Sequence, residues 1–241
     1  MGIQERRERE FMRREREILD AALGLFRTDD WQAVTVEQIA EKAEIGKGTV
    51  YKHFQSKDEI YARLATDFQR RALEKLERID PSLPVMQRLR MIIAIFWDQH
   101  IHGTEYQHLV QYCERDDFRK GLAPELQAQF AELDARFNAA IDRVLQDGID
   151  QGILPRKPRE ELVFGPVAAL NGATRMACNC LPEGTPREKY LGALTNFILA
   201  GMLYQEWLAE EGLDDDTAVS RALAEMRQAE LELETEQSRV A

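Results

Sequence analysis

Between Val34 and Lys57, apolar residues recur at the spacing of two short helices joined by a tight corner. Val36, Ile39, Ala40 and Ala43 fall at i, i+3, i+4 and i+7, one apolar face of a helix of roughly nine residues. Thr35 stands three residues before Gln38, the capping-box spacing that satisfies free N–H groups at a helix start. Glu44-Ile45-Gly46 breaks the period, and Gly46 is expected to take the backbone angles of the corner. In the next helix Val50 and Phe54 face inward, leaving the donors Lys47, Thr49, Tyr51, Lys52 and His53 outward. Ser56 and Glu59 form a second capping box and start a helix with the apolar line Ile60, Leu64, Phe68. It runs to about Arg78, and Asp80-Pro81-Ser82-Leu83-Pro84 ends it.

On either side the pattern is helical as well. Ten of residues 1–16 are charged, and from Ile18 an amphipathic line with Ala22, Leu25 and Phe26 packs a first helix behind the corner. Trp31 and Val34 are expected to anchor the loop after it. Beyond Pro84, helices are expected over Val85–His102, with the face Met91, Ile92, Ile95, Phe96, and over Glu105–Cys113. Another spans Pro124–Gln151, its seam Leu126, Phe130, Leu133, Phe137, Ala140 and Val144, and Gly152 ends it. Two more cover Arg159–Cys180, which Pro166 should kink or truly begin, and Pro186–Glu210. After Gly212, Asp214 to Thr217 precede a thin stripe of Ala222, Leu223, Met226 and Leu233, an appended helix or a solvated tail. The fold class is all-α, divided into a head over 1–57 (its charged arm 1–16), a linking helix over 58–80, a body over 81–212 and a tail over 213–241.

A short helix, a tight corner and a donor-rich second helix is an arrangement that the major groove of DNA admits. Thr35, Ile39, Ala40, Ala43, Ile45, Gly48, Thr49, Val50, Tyr51, His53, Phe54 and Lys57 match the run T-x-x-x-I-A-x-x-A-x-(I/V)-x-x-G-T-(V/L)-Y-x-H-F-x-x-K. At these positions the chain resembles the TetR family of transcriptional regulators, with Ile60 where leucine is more usual. The resemblance implies a three-helix helix-turn-helix DNA-binding domain followed by a larger helical ligand-binding and dimerisation domain. It also implies a homodimer whose last two body helices form a four-helix bundle, with Ala168, Ala169, Gly172, Ala173, Gly192, Ala193, Ala200 and Gly201 allowing close approach. By the same resemblance, Thr35, Lys47, Gly48, Thr49, Tyr51, Lys52, His53 and Lys57 contact a double-stranded, palindromic operator. Lysine at position 47 suits guanine O6/N7, Gly48 lets the backbones approach, and Thr49, Tyr51, His53 and Lys57 suit phosphates. Thr35 is both a cap and a phosphate contact through its helix N-terminus. A small-molecule effector, apolar or anionic, is expected in the body against Phe96, Tyr106, Gln111, Phe137, Asn171 and Arg175, releasing a repressor from its operator. An adaptor of the same fold acting through a protein partner is the alternative.

Charge alters this picture only in its distribution. The net charge is -11, yet residues 1–78 hold 16 basic and 16 acidic side chains, so the whole excess lies in residues 79–241. A neutral head can still present a basic face through Lys47, Lys52 and Lys57, and Arg6, Arg7, Arg9, Arg13, Arg14 and Arg16 can supply an arm along phosphates. Cys113, Cys178 and Cys180 form no disulfide framework, which suits a reducing cytoplasm, and no signal segment or membrane span is expected. His100, His102, Glu105 and His108 could align on a metal in a metal-responsive sensor, but Gly103 interrupts them and polar groups for a ligand cavity are the expected role. No nucleophile elbow, phosphate loop or paired-carboxylate motif is present, so neither an enzyme nor a cofactor is expected.

Overall fold

Ile18, Ala22 and Phe26 repeat every fourth residue and are fully buried along one side of α1 (Ile3–Leu25) and its cap, which fixes that helix against the head. The structure is a computed structural model and describes residues 2–26, 33–101, 108–109, 112–113, 115–180, 182, 185–203 and 228. Trp31, residues 102–107 and 110–111, Glu210 and the tail over 213–241 (Gln228 apart) lie outside the described residues. Among those described, every regular element is helical.

α2 (Val36–Lys42) begins at a reciprocal capping box: the Gln38 N–H donates to Thr35 Oγ1 at 3.3 Å and the Thr35 N–H to Gln38 Oε1 at 2.9 Å. The corner after α2 differs from the sequence expectation. Gly46 has ordinary extended angles (φ −71°, ψ 144°) as the cap of α3 (Lys47–His53), and the left-handed residue is Glu44, at φ 55°. The cause is the helix end itself: Ile45 N–H reaches back to Ala40 C=O at 2.9 Å, a closure that requires a left-handed residue just before it. α4 (Lys57–Glu77) starts at Ser56, whose Oγ accepts the Glu59 N–H at 3.1 Å, while the Glu59 carboxylate takes the Gln55 N–H at 2.6 Å. It ends where Asp80 Oδ1 accepts the Ser82 N–H, which holds the Asp80 carboxyl below its usual range.

The body contains α5 (Val85–Ile101), α6 (Asp116–Gly121), α7 (Pro124–Asp150), α8 (Arg159–Asn179) and α9 (Leu191–Leu203), the last preceded by a 3-10 turn at Arg187–Tyr190. Pro166 neither starts nor ends α8, which runs unbroken from Arg159 and loses at Pro166 one hydrogen bond that the adjoining turns outweigh. α7 closes at Gly152, whose φ of 66° favours glycine. α4 packs along α7, and α8 and α9 pack on each other and on α5.

Among the described residues the core has two large apolar clusters and a small one around Trp97 and Ala177, and α4 belongs to both large ones. Ile60, Tyr61, Leu64 and Ala65 join the head to Leu109, Cys113, Phe118, Leu122, Leu126 and Phe130, whereas Leu76 joins Val85, Ile92, Val144, Ile198 and Met202. The head's core therefore continues into Leu109, Cys113 and residues 118–130 of the body. Each buried aliphatic or aromatic side chain there contributes about 1.5–3 kcal/mol, so head and body cannot move apart without exposing that shared surface.

Candidate nucleic-acid interface

α3 is seven residues long and buries one of them, Val50. Phe54 at its cap is also buried, so this pair pins α3 against α1 and α2 while Lys47, Gly48, Tyr51 and Lys52 stay exposed. Tyr51 is 48% exposed, unusual for a large aromatic with no packing reason to be outside. A Cβ built on Gly48 would meet no atom of the chain within 4 Å, so nothing internal demands glycine there. Gly48 is the second residue of α3, and its lack of a side chain leaves room for a close approach to the backbone from outside the chain.

The expected contacts are not equivalent in the structure. Thr35 is exposed at the N-terminus of α2, its side chain engaged in the cap. Thr49 is half-buried in the first turn of α3. Lys52 is exposed and makes no ion pair among the described residues. Lys47 pairs with Glu37 of α2 and lies 5.7 Å from the Tyr51 ring centroid. Its ammonium holds the Glu37 carboxyl below its usual range, and Glu37 in turn raises Lys47. To reach a base edge, Lys47 exchanges that carboxylate for the base.

His53 and Lys57 are used inside the head. The His53 ring stacks on Phe11 of α1 (centroids 4.1 Å apart, 31° between planes), and its Nδ1 is buried without a hydrogen bond. Burial is the main cause that lowers the His53 pKa, Arg14 and Lys52 adding to it and Glu15 opposing. The folded head thus holds fewer protons than the unfolded chain. Stability from this source is complete above the ordinary value of 6.5 and is lost as pH falls below it through the lowered folded value. The thermal midpoint of the protein should fall over that window, and His53→Phe should flatten the dependence.

Lys57 Nζ donates to Val34 C=O at 2.9 Å and stands over the rings of Tyr61 and Tyr112, 5.6 and 6.0 Å from their centroids. Tyr112 in turn donates to Asp58 at 2.7 Å, and burial raises both tyrosine pKa values. The lysine thus ties the loop before α2 to α4 and to the body. Lys57→Met should cost about 1–2 kcal/mol of stability and leave the salt dependence of DNA binding unchanged, whereas Lys52→Gln should lower that slope by about 1. Calorimetry and a salt titration separate the two roles. A lower slope with an unchanged midpoint for Lys57→Met would return it to the phosphates.

Sequence reasoning missed Phe11, Glu37 and the Tyr61–Tyr112 pair, since each acts through a partner distant in sequence. Of the described effector residues, the structure brings Phe96 and Phe137 together and sets Asn171 and Arg175 apart from them. Phe96 and Phe137 meet edge-to-face (5.9 Å, 70°) against the body core. Asn171 and Arg175 are exposed on the outer face of α8, because Leu170, Thr174 and Ala177 point that helix's inner face into the body. Tyr106 and Gln111 lie outside the described residues, as do His102 and Glu105 of the histidine group. His108 Nδ1 is 2.8 Å from Phe26 C=O, to which it donates from the body side.

A capped scaffold helix, a left-handed corner and an exposed donor-bearing helix define a helix-turn-helix DNA-binding protein. The model of bacterial regulatory proteins of the tetR family matches residues 18–64. The HTH-type transcriptional regulator YhgD of Bacillus subtilis is 32% identical over 143 residues, 58% of this chain and 72% of that protein. The HTH-type transcriptional repressor KstR of Rhodococcus jostii is 30% identical over 82 residues, 34% of this chain and 38% of that one. The fold matches FadR of Bacillus subtilis, solved in complex with stearoyl-CoA, at a TM-score of 0.62 and 17% identity, covering 77% of this chain and 98% of that chain. This chain belongs to the TetR family of transcriptional regulators.

Proposed function

We propose that the protein is a homodimeric repressor that binds a palindromic operator and is released by a small molecule held in its helical body. The observation that carries the reading is the exposed α3 face of Lys47, Gly48, Tyr51 and Lys52, aimed outward by the buried Val50 and Phe54. Dimerisation is supported by the outer faces of α8 and α9. Phe164 is 77% exposed, Met176 63% and Phe197 72%, beside Ala168, Gly172, Ala200 and Gly201, which are also exposed. Ala169 and Ala173 are instead half-buried against the body core.

The shared core gives a route for release. A ligand that shifts α5 or α7 displaces α4 and residues 118–130, and both are packed on the head. The stearoyl-CoA in FadR supports a ligand in a body of this fold. Selection of bound sequences from a random DNA pool, followed by a salt titration of the winner, tests the reading. A twofold-symmetric site with a steep slope is expected, and Lys47→Ala should relax preference at one position per half-site by about 1–3 kcal/mol. No enrichment would overturn the reading.

A further inference from the structure

Where the end of α4 meets α5 and α7, the body opens into a cleft of about 460 Å³, within the range of ligand sites. Its apolar wall includes Leu76, Ile79, Ile92 and Val144. Arg88, in the first turns of α5, also lines it, and this side chain is only 5% exposed. Its Nη1 donates to Asp147 Oδ2 at 2.6 Å, yet its Nε is buried with no hydrogen-bond partner. A buried guanidinium held by one half-exposed carboxylate is a poor stabilising device. An apolar residue in its place would avoid the cost of desolvating the charge.

The cleft is lined by two cations, Arg88 and Arg143, and two carboxylates, Glu77 and Asp147, and both carboxylates are engaged by arginines. Asp147 is matched by Arg88, and Glu77 is held in a bidentate pair by Arg136, both oxygens at 2.8 Å. Arg143, one turn before Asp147 on α7, also lines the cleft, is exposed and makes no ion pair among the described residues. Arg143 is thus the cation of the cleft that a ligand can reach without displacing a carboxylate of the described residues.

We propose that the cleft binds an amphipathic anion, with its carboxylate or phosphate on Arg88 and Arg143 and its apolar chain along Leu76, Ile79, Ile92 and Val144. The anionic head takes the unused Arg88 donor and competes with Asp147 for the guanidinium, so binding shifts α7 relative to α5 beside the end of α4. This rests on the ligand-released reading above and names the chemical class and the place of that ligand.

Calorimetric titration of the full-length protein with decanoate, decyl phosphate and uncharged decan-1-ol tests it. Decanoate or decyl phosphate should bind at least tenfold tighter than decanol, and the tighter of the two defines the head group. Arg143→Gln, at an exposed position with no ion-pair partner among the described residues, should weaken the anion about tenfold and leave decanol unchanged. Asp147→Asn removes the competing carboxylate and should strengthen the anion severalfold. Equal binding of anion and alcohol, no binding of either anion, or weaker anion binding by a folded Asp147→Asn protein would overturn the site. Operator release by other compounds without decanoate or decyl phosphate binding would remove the site and keep the ligand-responsive reading. Anion binding that leaves operator affinity unchanged would keep the site and remove its role in release.

Discussion

Phe197→Glu should reduce operator binding by about a hundredfold or more, because a buried aromatic anchor is worth about 2–4 kcal/mol at an interface. The residue projects from α9 at 72% exposure, while its neighbours Ile198 and Leu199 are 3% exposed and hold the helix to the body. A twofold interface counts the substitution twice, and each glutamate would be desolvated against apolar surface. The isolated chain has nothing to lose at so exposed a position. Sedimentation should therefore show a monomer with native helicity. A variant that remains dimeric and binds DNA normally would place the dimer contact elsewhere.

Gly148→Val should destabilise the body by about 3 kcal/mol, the upper end of the usual cost of overpacking. Gly148 is buried in α7, and a Cβ there would stand 2.8 Å from Leu154 Cδ1 and 3.2 Å from Val85 Cγ1. These atoms belong to the chain returning after α7 and to the start of α5, so relief requires parting two elements. The better helix propensity of valine returns only a few tenths of a kcal/mol. Thermal unfolding measures the loss. A midpoint within 2 °C or so of the parent would mean that Leu154 can swing aside cheaply.

Much of the head was legible because its signals are local. Thr35 and Gln38 cap within one turn, and the alternation that buries Val50 and Phe54 is a property of neighbouring residues. The corner was misassigned to Gly46 because composition marks the residue most able to turn left-handed. The hydrogen bond from Ile45 to Ala40 decides which residue does so. Pro166 does not mark the start of α8, because one lost hydrogen bond is a local penalty that the remaining turns of the helix override. The orientation of Asn171 and Arg175 was not legible in the sequence. An inward or outward face of α8 depends on where α5 and α9 lie, and that put Asn171 and Arg175 outside.

The sequence by itself determined the helical class, the capped two-helix reader and the split of charge between its two parts, since periodicity, capping and composition act over a few residues. Tertiary structure alone decided that His53 rests on Phe11, that Lys57 binds Val34 and two tyrosine rings, and that Arg88 faces Asp147 in a cleft. Those partners lie 23 to 59 positions apart for the two hydrogen-bonded pairs. Only the packing of whole helices, driven by burial of their shared apolar faces, sets such distances.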